Sequence, residues 1–409
     1  MNEIAYLTNF SNLDATLNIQ KNLLNEFSKN FRKIYFINSQ NLRYFPNIAK
    51  KQFNENEIAF KIKSTKKFIY FNPSNEKEFS KFLKNKNLLI INNFGRNFWT
   101  LKTFFLLRKY NLKHIYIDAL GGVGMSANFN FKNSFRFLNY FIFQSLIKKL
   151  IVPLLIFLKL IPRSEISFIT KKKEISFTKK NILKKFLYER KLLYSKKYIL
   201  VNSRSNDYFL ENKHKISDEY IVHLDVEMNG MHEIETRGRL PKKNVNSHYY
   251  HLRNFLNKLS KSYRKKVIVC VHPGVKKRDL NKLKKSSLLK GFKIVQFNTR
   301  NYIYKAYLVT TFDTSAIVDA AILKKKIIGL WSNYMDENQI MHSKTYPNII
   351  GYLRINFENY NFNKNKLLKI LNSRIFKYNK FINNYHSFKK GVKGSSQIIS
   401  ILKKDFNCV

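Results

Sequence analysis

Short apolar runs alternate with longer amphipathic stretches along almost the whole chain. "EIAYLTNF" (3–10) is followed by "NLDATLNIQKNLLNEFSKNF" (12–31), whose apolar residues recur at helical spacing. "KIYFINS" (33–39), "NLLIINNF" (87–94) and "HIYIDA" (114–119) continue the strand series, with a helical "NFWTLKTFFLLRKY" (97–110) before the last of them. A second series holds "KYILVNS" (197–203), "YIVHLDVE" (220–227), "KVIVCVH" (266–272), "FKIVQF" (292–297), "YLVTTF" (307–312) and "KIIGLW" (326–331). Apolar strands separated by helices predict parallel α/β structure, because a parallel sheet is buried on both faces. The pattern predicts an N-terminal Rossmann-like domain over 1–215 and a C-terminal one over 216–378, each doubly wound, with a C-terminal helix at 379–409. A basic, helical segment at 133–195 joins the two series.

The most apolar part of that join is "LNYFIFQSLIKKLIVPLLIFLKLIP" (138–162). Lys148, Lys149, Pro153 and Lys159 interrupt it, leaving a clean run of about nine residues where a bilayer span takes roughly 20. Residues 133–162 therefore read either as a core helix or as an amphipathic helix lying in a membrane interface. The N-terminus shows no basic region leading into an apolar one, so no signal peptide is expected.

Composition sharpens this reading through charge. The 409 residues carry 76 Lys and Arg against 26 Asp and Glu, a net charge of +50. The lysines are spread over the whole chain, which favours a broad anion-facing surface over a basic arm. The 44% of hydrophobic residues excludes wholesale disorder. Cys270 and Cys408 offer no zinc spacing and read as reduced thiols of a cytosolic protein.

In open α/β sheets ligands bind beyond the carboxyl ends of the strands. After "KVIVCV" stand His272, Pro273 and Gly274, with Lys276 close behind. The imidazole can donate to a phosphate oxygen, and Pro273 holds His272 in extended geometry. After "YLVTT" stand Asp313, Thr314 and Ser315, any of which can cap a helix with Ile317, Ala320, Ala321 and Leu323 on its apolar face. Hydroxyls and helix N–H groups there make an anion site. After "HIYI" stand Asp118 and the glycines Gly121 and Gly122; an acid in that place suits a general base. "VHLDVEMNGMHEIETRG" (222–238) gathers His223, Asp225, Glu227, His232, Glu233 and Glu235, matches no zinc motif, and reads as a solvated loop after a strand. No metal site is expected.

"VIVCVHPG" followed by "FKIVQF" and "YLVTTFDTSAIVDAAILKKKIIGLW", over 220–335, resembles GT-B glycosyltransferases of bacterial surface-polysaccharide assembly. The pair of motifs is similar to the His-Pro and Ser/Thr motifs of bacterial sialyltransferases and related CMP-sugar transferases. The second motif also resembles that of CDP-glycerol glycerophosphotransferases. The resemblance implies two Rossmann-type domains facing a cleft, with His272, Thr314 and Ser315 on the donor phosphate. It implies a metal-independent transferase with no cofactor, moving a CMP-sialic acid-like or CMP-Kdo sugar to a glycan or lipid-linked acceptor. A CDP-glycerol-type transfer for a capsule or teichoic-acid-like polymer is the alternative. "YIDALGG" is similar in place to the family's acidic motif, with Asp118 as the base, although Ala119 stands where a second acid or a glycine is expected.

Such an enzyme is expected at the inner face of the cytoplasmic membrane, held peripherally to anionic lipid by its cations. A basic nucleic-acid-binding protein is the reading from a different class. It predicts base-stacking aromatics beside cations in a recognisable module, and the chain shows none, so no specific nucleic acid is expected.

Overall fold

The computed structural model describes residues 3–8, 13–42, 67–84, 86–92, 100–118, 151–171, 194–225, 244–272, 277–312, 314–335, 340, 343–386 and 389–406. The chain divides into two compact units within a helix, α5 (Arg204–Asn212), between Tyr208 and Phe209. Of the described residues, unit 1 takes those before that point and those from Asn384 onward; unit 2 takes Phe209–Asn383.

Unit 1 is built on seven parallel strands in the order β3-β2-β1-β4-β5-β6-β7. They are β1 (Glu3–Thr8), β2 (Lys33–Asn38), β3 (Phe68–Phe71), β4 (Leu89–Asn92), β5 (His114–Asp118), β6 (Ser164–Ile169) and β7 (Ser195–Leu200). Alternate residues feed two cores. Ile4, Tyr6, Phe36, Ile91, Ile117 and Phe168 face Phe27 of α1 (Leu13–Asn30) and Ile398 and Leu402 of the last helix, α13 (Gly394–Phe406). Ala5, Leu7, Ile37 and Ile90 face α2 (Glu76–Leu83), α3 (Leu101–Lys109) and α4 (Val152–Phe157). Both faces are thus dry, as parallel sheets require.

Unit 2 repeats the plan with six parallel strands, β10-β9-β8-β11-β12-β13. They are β8 (Tyr220–Leu224), β9 (Val267–Val271), β10 (Lys293–Gln296), β11 (Ala306–Thr311), β12 (Lys326–Trp331) and β13 (Leu353–Asn356). Ile221, Val267, Val269, Leu308, Ile328 and Leu330 point to one face. There they pack under Leu252, Leu256 and Leu259 of α6 (Val245–Tyr263) and Leu367 and Leu371 of α11 (Lys364–Ile375). Between these elements lie α7 (Lys277–Lys285), α8 (Thr299–Tyr304), α9 (Ile317–Ile322) and α10 (Thr345–Ile350), with α12 (Tyr378–Tyr385) closing the unit. In each sheet the strand order reverses beside the first strand, between β1 and β4 and between β8 and β11. The doubly wound α/β reading holds for both units.

The structure corrects the reading of 163–195 as helical. "SEISFI" is β6, buried on both sides between β5 and β7. It also adds β3 and β13, four residues each. Helix α6 begins at Val245 and is capped by Asn244, whose side chain accepts the Ser247 N–H at 3.1 Å.

The end of the chain is tied into unit 1 by polar contacts. The Asp207 carboxylate accepts the N–H groups of Gly394 at 2.6 Å and Ser395 at 2.9 Å, capping α13 from another helix. A carboxylate at a helix N-terminus is also favoured by the helix dipole. The Asn202 amide donates to the Lys389 and Val392 carbonyls at 2.7 and 2.8 Å. Gly394 sits so close that a Cβ there would lie 1.9 Å from the Asn202 carbonyl oxygen. Gly394→Ala is therefore expected to destabilise unit 1 by about 3 kcal/mol, and Asp207→Ala by about 2 kcal/mol, in urea unfolding followed by circular dichroism. A wild-type midpoint for Gly394→Ala would contradict this packing.

Candidate functional site at the carboxyl edge of unit 2

The strands of unit 2 change character at one level. The pairings Leu224 with Cys270 and Thr311 with Leu224 set Asp225, Val271 and Phe312 side by side, one step past the middle of the sheet. The α6 face is aliphatic at Ile221, Val267 and Leu308, and towards the carboxyl ends it takes in His223, Thr310, Asp225 and Phe312 beside Val271. Period two carries Ile221, His223 and Asp225 to the same face.

His223 is fully buried, and its Nδ1 lies 2.9 Å from the Thr310 hydroxyl. Its Nε2 faces Asp225 Oδ1 at 3.7 Å, and neither atom has a hydrogen-bond partner among the described residues. The other Asp225 oxygen accepts the Tyr249 hydroxyl at 3.1 Å, while the Asp225 N–H donates to the Cys270 carbonyl at 2.9 Å. His248, from α6, is equally buried and has its Nδ1 2.9 Å from the Ser332 hydroxyl at the end of β12. The two imidazoles meet on one ring. His223 stands edge-on to Phe312 with centroids 5.1 Å apart, and His248 tilts against it at 5.2 Å. Phe357 closes a third side at 6.0 Å.

Phe312 leads straight into the Thr314–Ser315 turn, so this clamp fixes where that turn stands. Thr314 is half-buried and Ser315 exposed. The Thr314 hydroxyl accepts the Ala316 N–H at 3.4 Å, and its carbonyl accepts the Ile317 N–H at 3.2 Å. The Val318 N–H goes to the Ser315 carbonyl at 3.2 Å. The expected cap is thereby corrected: Ala316 occupies the cap position of the six-residue α9, with no side chain capping it. The first N–H groups are spent inside the turn, and what the turn offers a ligand is its two hydroxyls.

His272 follows β9 directly and is exposed. Its carbonyl accepts the Gln296 side-chain amide at 3.3 Å, which ties it to the end of β10. Since β8 separates β9 from β11, the strands that lead to His272 and Thr314 run on either side of it, about 10 Å apart as two strand spacings. Both stand at the edge where the strand order reverses, which is where doubly wound sheets bind ligands. Pro273, Gly274, Lys276 and Asp313 lie outside the described residues, as do Glu227, His232, Glu233 and Glu235.

Cys270 ends this edge from within. Its thiol is buried, and burial pushes its pKa up to about 12, so it stays protonated and unreactive. Among the described residues no group of three or more His, Cys, Asp or Glu could hold a metal ion.

Unit 1 presents a carboxyl edge of its own. Asp118 is the last residue of β5, half-buried, level with Ile169 of β6. Four of the other strands of this sheet end in buried polar residues: Thr8, Asn38, Asn92 and Thr170. Asn92 donates to the Ile115 carbonyl at 3.0 Å. Gly121 and Gly122 lie outside the described residues.

The strand reading of 220–227 holds as far as Leu224, and that strand carries His223 and Asp225 into the interior. His223 and Asp225 are 0% and 4% exposed. The usable signal was their spacing of two behind Ile221 in a strand buried on both faces. His248, Tyr249 and Ser332 carried no comparable signal, because their roles depend on how α6 crosses the sheet.

A seven-stranded and a six-stranded parallel sheet in these orders define a known architecture. The fold is GT-B-like. The wall teichoic acid polymerase TagF superposes with a TM-score of 0.55, at 12% identity, covering 99% of this chain and 89% of that one. S. aureus MnaA in its UDP co-structure gives 0.50 at 10% identity, covering 100% of this chain and 98% of that one. Arabidopsis thaliana UGT89C1 complexed with UDP gives 0.50 at 10% identity, with all of both chains covered. No protein-family model matches the chain, and no curated protein matches its sequence.

The clamp predicts a specific weakness. Phe312→Ala removes the ring that both imidazoles grip and should cost unit 2 about 3–5 kcal/mol in urea unfolding. Phe312→Leu keeps most of the volume and should cost less than half as much. Equal, small losses in both variants would show that the ring contacts are not what holds this edge.

Proposed function

We propose that this chain is a glycosyltransferase that takes its donor as a sugar nucleotide and binds the donor phosphate at the carboxyl edge of unit 2. The observation that carries the reading is the placement of His272 and the Thr314–Ser315 turn on either side of β8, at the reversal point of that sheet. Three solved proteins with the same fold support it in outline: two hold UDP in their structures, and TagF is a wall teichoic acid polymerase, also studied soaked with CDPG.

In this reading the bond between the anomeric carbon and the donor phosphate oxygen breaks. The electron pair stays on that oxygen, where the His272 imidazole and the two hydroxyls of the turn meet the developing charge. Lys276 adds a cation. The acceptor hydroxyl oxygen forms the new bond to the anomeric carbon and passes its proton to Asp118. Counter-charge from side chains lets the step proceed without a metal. The donor is a CMP-sugar of the sialic acid or Kdo type and the acceptor a surface glycan or a lipid-linked one, on the cytoplasmic side of the envelope. A second reading, transfer of glycerol phosphate from CDP-glycerol, is favoured by the TagF likeness and breaks the P–O–P bridge instead. Both readings put a cytidine nucleotide on the same residues.

Thermal unfolding with CMP, CDP, UDP and GDP tests this. A nucleotide at about 100 times its dissociation constant adds about 2.7 kcal/mol to the native state, a rise of several degrees. CMP or CDP is expected to raise the midpoint most. His272→Ala should keep the ligand-free midpoint and lose most of that rise. A chain that none of the four stabilises, or a His272→Ala variant with the full rise, would overturn the assignment.

A further inference from the structure

The amino edge of the unit 1 sheet, opposite to Asp118, carries a second feature that the transferase reading does not use. Helix α4 is short and two-sided. Val152 and Ile156 are buried in the core, whereas Leu154 and Phe157 are 55% and 74% exposed. The chain then closes the helix with a left-handed Lys159 (φ 57°). The Lys159 N–H returns to the Ile156 carbonyl at 3.0 Å and the Leu160 N–H to the Leu155 carbonyl at 2.9 Å. This paired closure is a Schellman motif. It normally turns an apolar residue inward, yet here Leu158 and Leu160 stay 54% and 48% exposed. Ile151, at the start, is 38% exposed. Five large apolar side chains thus stand together within Ile151–Leu160, where soluble surfaces scatter them singly.

The same turn borders a cavity of about 320 Å³ lined by Arg108, Lys113, Lys159, Arg163 and Lys196, with Glu165 the one acid. Glu165 is taken by Lys196 at 2.8 Å. The arginines are braced on backbone: Arg108 donates to the Lys159 carbonyl at 3.0 Å and Arg163 to the Ser195 carbonyl at 3.3 Å. Lys113, Arg163 and Lys196 all mark where β5, β6 and β7 begin, which places the cavity at the amino edge.

We infer that this turn and cavity form a docking face for an anionic phospholipid bilayer, with Leu154, Phe157, Leu158 and Leu160 entering the interface and the five cations meeting headgroup phosphates. Apolar side chains ringed by braced cations fit that surface, because the interface asks for both at once. A protein partner would need carboxylates opposite the cavity and an apolar patch beside it, whereas a bilayer presents both everywhere. The length of β5 keeps this face roughly 15 Å from the carboxyl edge that holds Asp118. It therefore anchors the chain without covering that edge. Among the described residues no helix is long and apolar enough to cross a membrane.

The test stands apart from the transferase assignment, since it uses vesicles and no nucleotide. Full-length protein is mixed with phosphatidylcholine vesicles with or without about 30 mol% phosphatidylglycerol at about 0.15 M salt. Wild type is expected to co-sediment with the anionic vesicles. A Leu154→Ser, Phe157→Ser, Leu158→Ser triple variant should keep its melting midpoint and lose about tenfold in vesicle affinity. Phe157→Trp should gain fluorescence quenching from brominated acyl chains, against the signal of the native tryptophans. An unchanged triple variant would show that net charge alone binds the vesicles, and overturn the inference. So would added emission from the Phe157→Trp variant that is already blue-shifted without vesicles, with sedimentation then telling whether a second copy or the chain itself covers the face.

Discussion

Phe312 is the residue on which the candidate site depends. It lies at the end of β11, fully buried, between two imidazoles from different elements. Each imidazole is oriented by a hydroxyl, Thr310 for His223 and Ser332 for His248. Four strand ends or helices are thus tied to a single ring: β8, β11, β12 and α6. The turn at Thr314 and Ser315 begins two residues later and inherits its position from that clamp. An apolar core would fill the same space more simply, since each buried polar group must recover its lost hydration through hydrogen bonds. Spending imidazoles, a carboxylate and hydroxyls here gives the strand ends directional contacts, and directional contacts hold a loop in one place.

The fold was legible in the sequence because parallel sheets demand unbroken apolar runs. Ten of the thirteen strands among the described residues announced themselves that way, for example "KVIVCVH" and "YLVTTF". Those that did not are short or polar. β3 and β13 have four residues each, and β6 carries Ser164, Glu165 and Ser167 within "SEISFI". The order of the strands came from the structure alone, because the apolar runs say which segments are strands and not which of them pair. The attachment of α13 to unit 1 was not legible, since it rests on Asp207, Asn202 and Gly394, residues nearly two hundred positions apart that meet through backbone groups.

The candidate site was read in part. His272 and the Thr314–Ser315 turn stand at strand ends, as the runs before them indicate. The acid–imidazole pair fell within the strand read over 220–227, but the acid-rich stretch after it drew attention to a solvated loop and away from the pair's burial. Its burial follows from period two within the strand, whereas its partners Tyr249 and Thr310 come from other elements and have no sequence signature. Charge behaves similarly. The +50 total says that the surface seeks anions, but only the fold shows that cations gather at the amino edge of β5–β7, around an exposed apolar turn. In unit 1 the two edges of one sheet therefore differ in kind: buried amides and hydroxyls around Asp118 at one, cations and bare leucines at the other.

The central claim is that a nucleotide's phosphates rest across the ends of β9, β8 and β11. Amide hydrogen exchange with and without CMP or CDP measures this most directly, because it reports which backbone segments a ligand steadies. The account predicts slowed exchange in peptides covering Cys270–His272 and Thr311–Ala316, with the amino ends of β6 and β7 unchanged. Slowing confined to segments away from those strand ends, at nucleotide concentrations that raise the melting midpoint, would contradict it.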